Sequence, residues 1–145
     1  MEPYEEHIAL GTAVAVGLLI GLEREQSDDS TTGRFAGIRT YPIFALIGGL
    51  ATMLEPTSMW IPLVALAGVI ALLAISYAND IKNGRDHGVT TEASVIATFL
   101  LGALATSRGA LQPMSDRLVL VAALGVALTF LLSSKKWFHS FAHKI

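Results

Sequence analysis

The chain has 145 residues, 52% of them hydrophobic and only 15% charged, with a mean hydropathy of +0.56. A soluble domain carries about 25% charged residues to cover its surface, so neither an ordinary water-soluble fold nor a disordered chain fits this balance. Ten Lys and Arg against twelve Asp and Glu leave a net charge of −2, which lacks the basic excess of a nucleic-acid binder. With no cysteine, disulfides, thiolate metal sites and cysteine nucleophiles are excluded, and any chemistry falls to carboxylates, histidines, hydroxyls or backbone.

The charged residues avoid five apolar runs, 8–22, 41–54, 59–78, 93–107 and 118–134. A helix rises about 1.5 Å per residue and a bilayer's hydrocarbon is about 30 Å thick, so a span wants roughly 20 residues. Run 59–78 reaches that unaided. Run 8–22 extends back to Tyr4, run 93–107 to Thr90 and run 41–54 towards Gly37, with interfacial aromatics and snorkelling arginines covering the ends. The pattern predicts an all-α polytopic membrane helix bundle of about five transmembrane helices over residues 1–134, then a short basic-aromatic tail over 135–145. A very apolar soluble bundle is the alternative. Run 59–78 speaks against it, because it is apolar on every face and lacks the polar stripe of a soluble helix. The opening MEPYEEH is acidic where a signal peptide is basic, so no cleaved leader is expected.

Lys and Arg between the runs give the expected topology. Arg24, Arg34, Arg39, Lys82, Arg85, Lys135, Lys136 and Lys144 fall on one side, and Arg108 and Arg117 on the other. The side with eight is expected to be cytoplasmic, with the N-terminus outside and the C-terminus inside. The first loop, 23–40, is polar and turn-rich, whereas 55–58 is so short that runs two and three must form a tight hairpin around Pro56. The tail after Ser134 alternates basic and aromatic residues, a pattern suited to the headgroup layer.

Small residues mark where helices approach in lipid. Ala13, Gly17 and Gly21 recur four apart on the first helix, and Arg24 continues their stripe within about 20°. Thr91, Ser94, Thr98, Gly102 and Ala105 make a second such stripe on the fourth helix. Both suit interhelical seams; a conduction path is the other use for such faces.

Glu23, Arg24, Glu25, Arg39, Asn79, Asp80 and Glu92 all fall at helix ends on the basic side. A helix C-terminus carries roughly half a negative charge, so Glu23, Glu25 and Asp80 each call for a partner there. Arg24 and Arg39 can supply guanidinium forks. A divalent cation is the alternative, and a cysteine-free oxygen set with Glu23, Asp80 and Glu92 as ligands suits Mg²⁺ or Ca²⁺ rather than zinc. Glu92 follows Thr90 and Thr91 at a helix start, where capping alone also accounts for it. His139 and His143 have metal-ligand spacing but no intervening Glu, and read as interfacial. No motif in the sequence assigns a role to His7 or His87. No GxSxG, P-loop or intramembrane aspartate pair is present, so an enzyme is not expected.

The segment Gly17-Leu-Leu-Ile-Gly-Leu-Glu-Arg-Glu25, then Ala36-Gly-Ile-Arg-Thr40 and the helix opening Tyr41-Pro42 with Gly48-Gly49, resembles the MgtC/SapB family of bacterial inner-membrane proteins. The later Gly88-Val-Thr-Thr-Glu-Ala93, running into Phe99-Leu-Leu-Gly-Ala103, is similar to that family's second marked segment. The resemblance implies a five-helix membrane domain linked to growth under magnesium limitation. The family contains both proposed transporters and proposed regulators of other membrane proteins. Matched by motif, Glu23, Arg24, Glu25, Gly37, Arg39, Thr40, Thr91 and Glu92 are the candidate functional positions. Tyr41 departs from the histidine that many members carry, and the eleven residues of this sequence after Ser134 are too few to hold the soluble C-terminal domain of another branch.

Two functions are open at this point. One is binding or transport of a divalent cation, Mg²⁺ being the candidate, at the carboxylate/arginine cluster. The other is regulation, in which the protein forms a homo-oligomer or packs against another membrane protein in the bilayer.

Overall fold

The computed structural model describes residues 3–27, 37–84 and 89–142. Five helices follow in chain order: α1 (Pro3–Ser27), α2 (Thr40–Met53), α3 (Trp60–Lys82), α4 (Thr90–Thr106) and α5 (Met114–Ala142), and no strand occurs among the described residues. Each apolar run is the body of one helix, and the helices overrun the runs for local reasons. Glu-Arg-Glu-Gln are good helix formers and carry α1 on to Ser27. α3 continues through Asn79 and Asp80. The tail boundary at 134/135 is not a helix end: Ser133 and Ser134 turn their hydroxyls back onto the Phe130 and Leu131 carbonyls, and α5 runs on to Ala142. The predicted loop residues 28–36 and 85–88, with Arg34, Arg85 and His87, lie outside the described residues, as do His143, Lys144 and the side chains of Lys135, Lys136 and His139.

α1, α3 and α5 are long and apolar enough to cross a membrane, whereas α2 and α4 are shorter apolar helices. At about 1.5 Å per residue the short pair spans roughly 21 and 26 Å, less than the hydrocarbon. Their position compensates. α4 touches all four other helices, and α2 touches α1, α3 and α4, so protein covers most of the short pair. Among the described residues α3 and α5 flank the bundle without close backbone approach to each other, and the same holds for α1 and α3.

The central contact is between backbones. A Cβ on Gly48 would strike the Phe99 carbonyl of α4, and one on Gly102 would strike the Ala45 carbonyl of α2. Glycine at both positions lets the two helices approach closely enough for dispersion and Cα–H···O contacts. Gly17 does the same for α1, since its Cβ would lie 2.7 Å from the Pro42 Cα. Ala13, Gly17, Gly21, Ser94, Thr98 and Gly102, the expected seam residues, are all buried. Ala13, Ile20, Tyr41, Phe44, Val95, Phe99 and Val121 fill the core between them.

Candidate functional site

The cross-helix bonds set the direction of each helix. Arg24 at the end of α1 meets Thr91 at the start of α4, and Glu6 near the start of α1 meets Arg108 just past the end of α4, so those two helices run antiparallel. Tyr41 meets Ser94, and Thr106 meets Gly49, so α2 and α4 run parallel. The charged helix ends picked from sequence therefore gather at one end of the bundle.

Three helices are tied together there. An Arg24 Nη donates to Thr91 Oγ1 at 2.6 Å, joining α1 to α4. Ser94 Oγ donates to the Thr91 carbonyl at 2.8 Å, which spends its single proton. The Tyr41 hydroxyl must then be the donor in its 2.6 Å bond to Ser94 Oγ, which joins α2 to α4. Thr98 Oγ1 donates to the Ser94 carbonyl at 2.7 Å. The chain of hydroxyls is buried along the α4 stripe that sequence marked as a seam.

Glu25 answers the helix-end problem with backbone. Its Oε2 accepts the Ile38 N–H at 3.0 Å, and Gly37 lies so close that a Cβ there would be 3.3 Å from the same oxygen. The Gly37 carbonyl in turn accepts the Thr40 and Tyr41 N–H groups, starting α2. Arg39 occupies the N-cap position of α2 with an exposed side chain and no capping bond of its own.

Glu23 and Glu92 behave differently. Glu23 is nine-tenths buried; its Oε1 takes the Ser27 hydroxyl, while its Oε2 is buried with no hydrogen-bond partner. Glu92 Oε2 is likewise buried and unpartnered. These residues adjoin Arg24 and Thr91, the two ends of the α1–α4 bond. A buried oxygen left without a donor costs about 1–3 kcal/mol, more when it is charged, so a pair of them at one end of a small bundle requires a reason.

The expected ligand trio of Glu23, Asp80 and Glu92 is not assembled. No group of three or more His, Asp or Glu side chains among the described residues is placed to hold a metal ion. Asp80 is buried on α3, a helix whose backbone does not approach that of α1, and it is not grouped with Glu23 and Glu92 among the described residues. Glu23 and Glu92, on helices that do touch, remain as candidate oxygen ligands.

The ionic group that sequence reading passed over is Arg117, which it treated as a loop cation. Arg117 is completely buried at the opposite end. Its Nε donates to the Ala105 carbonyl at 3.0 Å and Nη1 to the Leu111 carbonyl at 3.2 Å, while Nη2 has no partner. A cation at the carbonyl end of α4 suits the helix dipole. Its signal in sequence is position: it stands one residue before an apolar run, where it can fold back on the preceding turn.

An all-helical chain with three long apolar helices and its charged groups at helix ends belongs, by class, among membrane proteins. A family model described as the MgtC family matches residues 10–141, and the chain belongs to that family. No curated protein and no solved structure matches it.

Proposed function

We propose that this protein is a multi-pass inner-membrane protein of magnesium homeostasis that binds a divalent cation at the cytoplasmic end of its bundle, with Glu23 and Glu92 as carboxylate ligands. The observation that carries this reading is the pair of buried, unpartnered carboxylate oxygens on Glu23 and Glu92, the chain neighbours of the bonded Arg24 and Thr91. Mg²⁺ is bound in proteins through one or two carboxylates while it keeps several waters, so two glutamates are a sufficient set for it. Arg24 limits the net negative charge and joins the ligand-bearing helices. Occupancy would then be felt as a change in how α1 and α4 pack. The excess of Lys and Arg at this end supports its cytoplasmic placement, and with it an external N-terminus.

Binding rather than conduction is favoured because none of the described carboxylates lies mid-span, where transport sites are usually built. A regulatory role fits the same site. It is supported by α3, only 11% of whose most apolar window is buried in the bundle, which leaves a long face for lipid, a second copy or another membrane protein.

Titration calorimetry of the purified full-length chain with MgCl₂ tests the proposal. Saturable binding that weakens about tenfold or more in both Glu23→Gln and Glu92→Gln, but not in Asp80→Asn, is expected, each carboxylate contributing on the order of a charge-assisted contact. Absence of binding in the wild type, or binding untouched by either glutamine, would overturn it. Proteoliposomes that bind Mg²⁺ without taking it up would identify a sensor. Because the chain has no native cysteine, single cysteines at residues 34 and 85 report topology directly; both are expected to be labelled from the cytoplasmic side.

A further inference from the structure

The opposite end of the bundle carries a lateral trough that the cation site does not use. One cavity of about 420 Å³ opens between the start of α3 and the last turn of α4, and its flank is apolar, built from Met59, Leu63 and Leu104. A second cavity of about 230 Å³ reaches Arg108. The two share Thr52, Glu55 and Ser107, so they form one continuous trough. The shared stretch carries the two hydroxyls and the Glu55 carboxylate, with the hydrocarbon flank in one cavity and the Arg108 guanidinium in the other.

Exposed aromatics at this end suit a headgroup-level position for the trough. Trp60 and Tyr4, 65% and 76% exposed, stand at this same end of the bundle, and exposed Trp and Tyr favour the membrane–water boundary. Glu55 is exposed on the turn between α2 and α3. Arg108 gives one nitrogen to Glu6, and its planar fork has further donors to offer.

We infer that this trough binds a phospholipid with a primary-amine headgroup, of the phosphatidylethanolamine type. Its ammonium meets Glu55, its phosphate meets Arg108 and the Ser107 and Thr52 hydroxyls, and the upper acyl chain lies over Met59, Leu63 and Leu104. The pairing follows from charge. With Arg108 already paired to Glu6, Glu55 is the charge left over; a zwitterion brings it an ammonium while its phosphate takes the remaining Arg108 donors, whereas an anionic headgroup leaves Glu55 facing like charge. A quaternary amine brings charge to Glu55 but no N–H donor.

The full-length protein, reconstituted in nanodiscs of equal parts phosphatidylethanolamine and phosphatidylglycerol and then re-extracted in mild detergent, tests this through the lipid retained, quantified by mass spectrometry. Exposed ion pairs act weakly, so an enrichment of the amine lipid of about threefold is expected. Glu55→Gln should bring the ratio to about one, the ion pair being gone. Leu104→Trp should fill the apolar flank and reduce total retained lipid. Leu63→Trp, on the exposed side of α3, makes the same block with less demand on packing, and unchanged helical circular dichroism checks that each variant folds. Equal retention of the two lipids by the wild type, preference for phosphatidylglycerol, or an enrichment that survives Glu55→Gln would each overturn the assignment.

Discussion

Between α2 and α4 the backbones touch, at Gly48 on one helix and Gly102 on the other, whereas α3 and α5 turn most of their surface outward. The inner pair is short and the outer pair long. Lipid thickness constrains only what lipid contacts, so helices enclosed by protein can be too short to span alone while those on the rim cannot. The inner pair also carries the buried hydroxyls, where each finds a carbonyl or another hydroxyl; the rim carries apolar side chains that need no partner. Enlarging a residue should therefore be costly inside and nearly free outside.

The largest effect is expected from Gly102→Leu. Its Cβ alone would collide with the Ala45 carbonyl, and backbone cannot move aside as a flexible side chain does. Overpacking costs about 1–3 kcal/mol where side chains can give and more where backbone must move, a large fraction of a small bundle's stability. Thermal unfolding in detergent, followed by circular dichroism, checks it. A variant as stable as the wild type would show that α2 and α4 are not in backbone contact.

That contrast explains which parts of the molecule were legible beforehand. Charge-free runs report how far a segment stays apolar, and five runs become five helices because a segment shielded from water must satisfy its own backbone bonds. Helix ends are another matter, since Glu23–Ser27 and Asn79–Lys82 are polar yet perfectly able to continue a helix. The stripe Gly17, Gly21, Arg24 indicated that Arg24 leaves α1 beside a partner helix, because helical phase is local arithmetic. That the partner would be α4, through Thr91, is decided by packing between segments 67 residues apart. The trio of Glu23, Asp80 and Glu92 is not brought into one group for the same reason: a sequence can place residues at one end of a bundle without saying which helices are neighbours.

Arg117 sharpens the comparison, since it is the point where a rim helix is tied to the inner pair by polar bonds. Arg117→Met keeps the bulk and removes the donors to the Ala105 and Leu111 carbonyls. Unmet buried acceptors predict a loss of about 1–3 kcal/mol in unfolding free energy, well short of the effect at Gly102. Arg117→Lys should recover only part of it, because one ammonium cannot follow the geometry of a planar fork. A methionine variant more stable than the wild type would mean that the desolvation cost of the buried guanidinium exceeds what its two bonds return.

The smallest effect belongs to Gly68 on α3. It is exposed, and a Cβ there would meet nothing within 4 Å. Gly68→Leu removes a weak helix former and adds apolar surface where lipid or detergent receives it, so unfolding should move by less than about 1 kcal/mol, in the stabilising direction. The useful readout is association. A rim that faces only lipid leaves the monomer–oligomer distribution of the leucine variant unchanged in cross-linking or mass photometry. Weakened association instead would place a second copy against Gly68, and α3 would then be an inner helix of a larger assembly, subject to the same packing limits as α2 and α4.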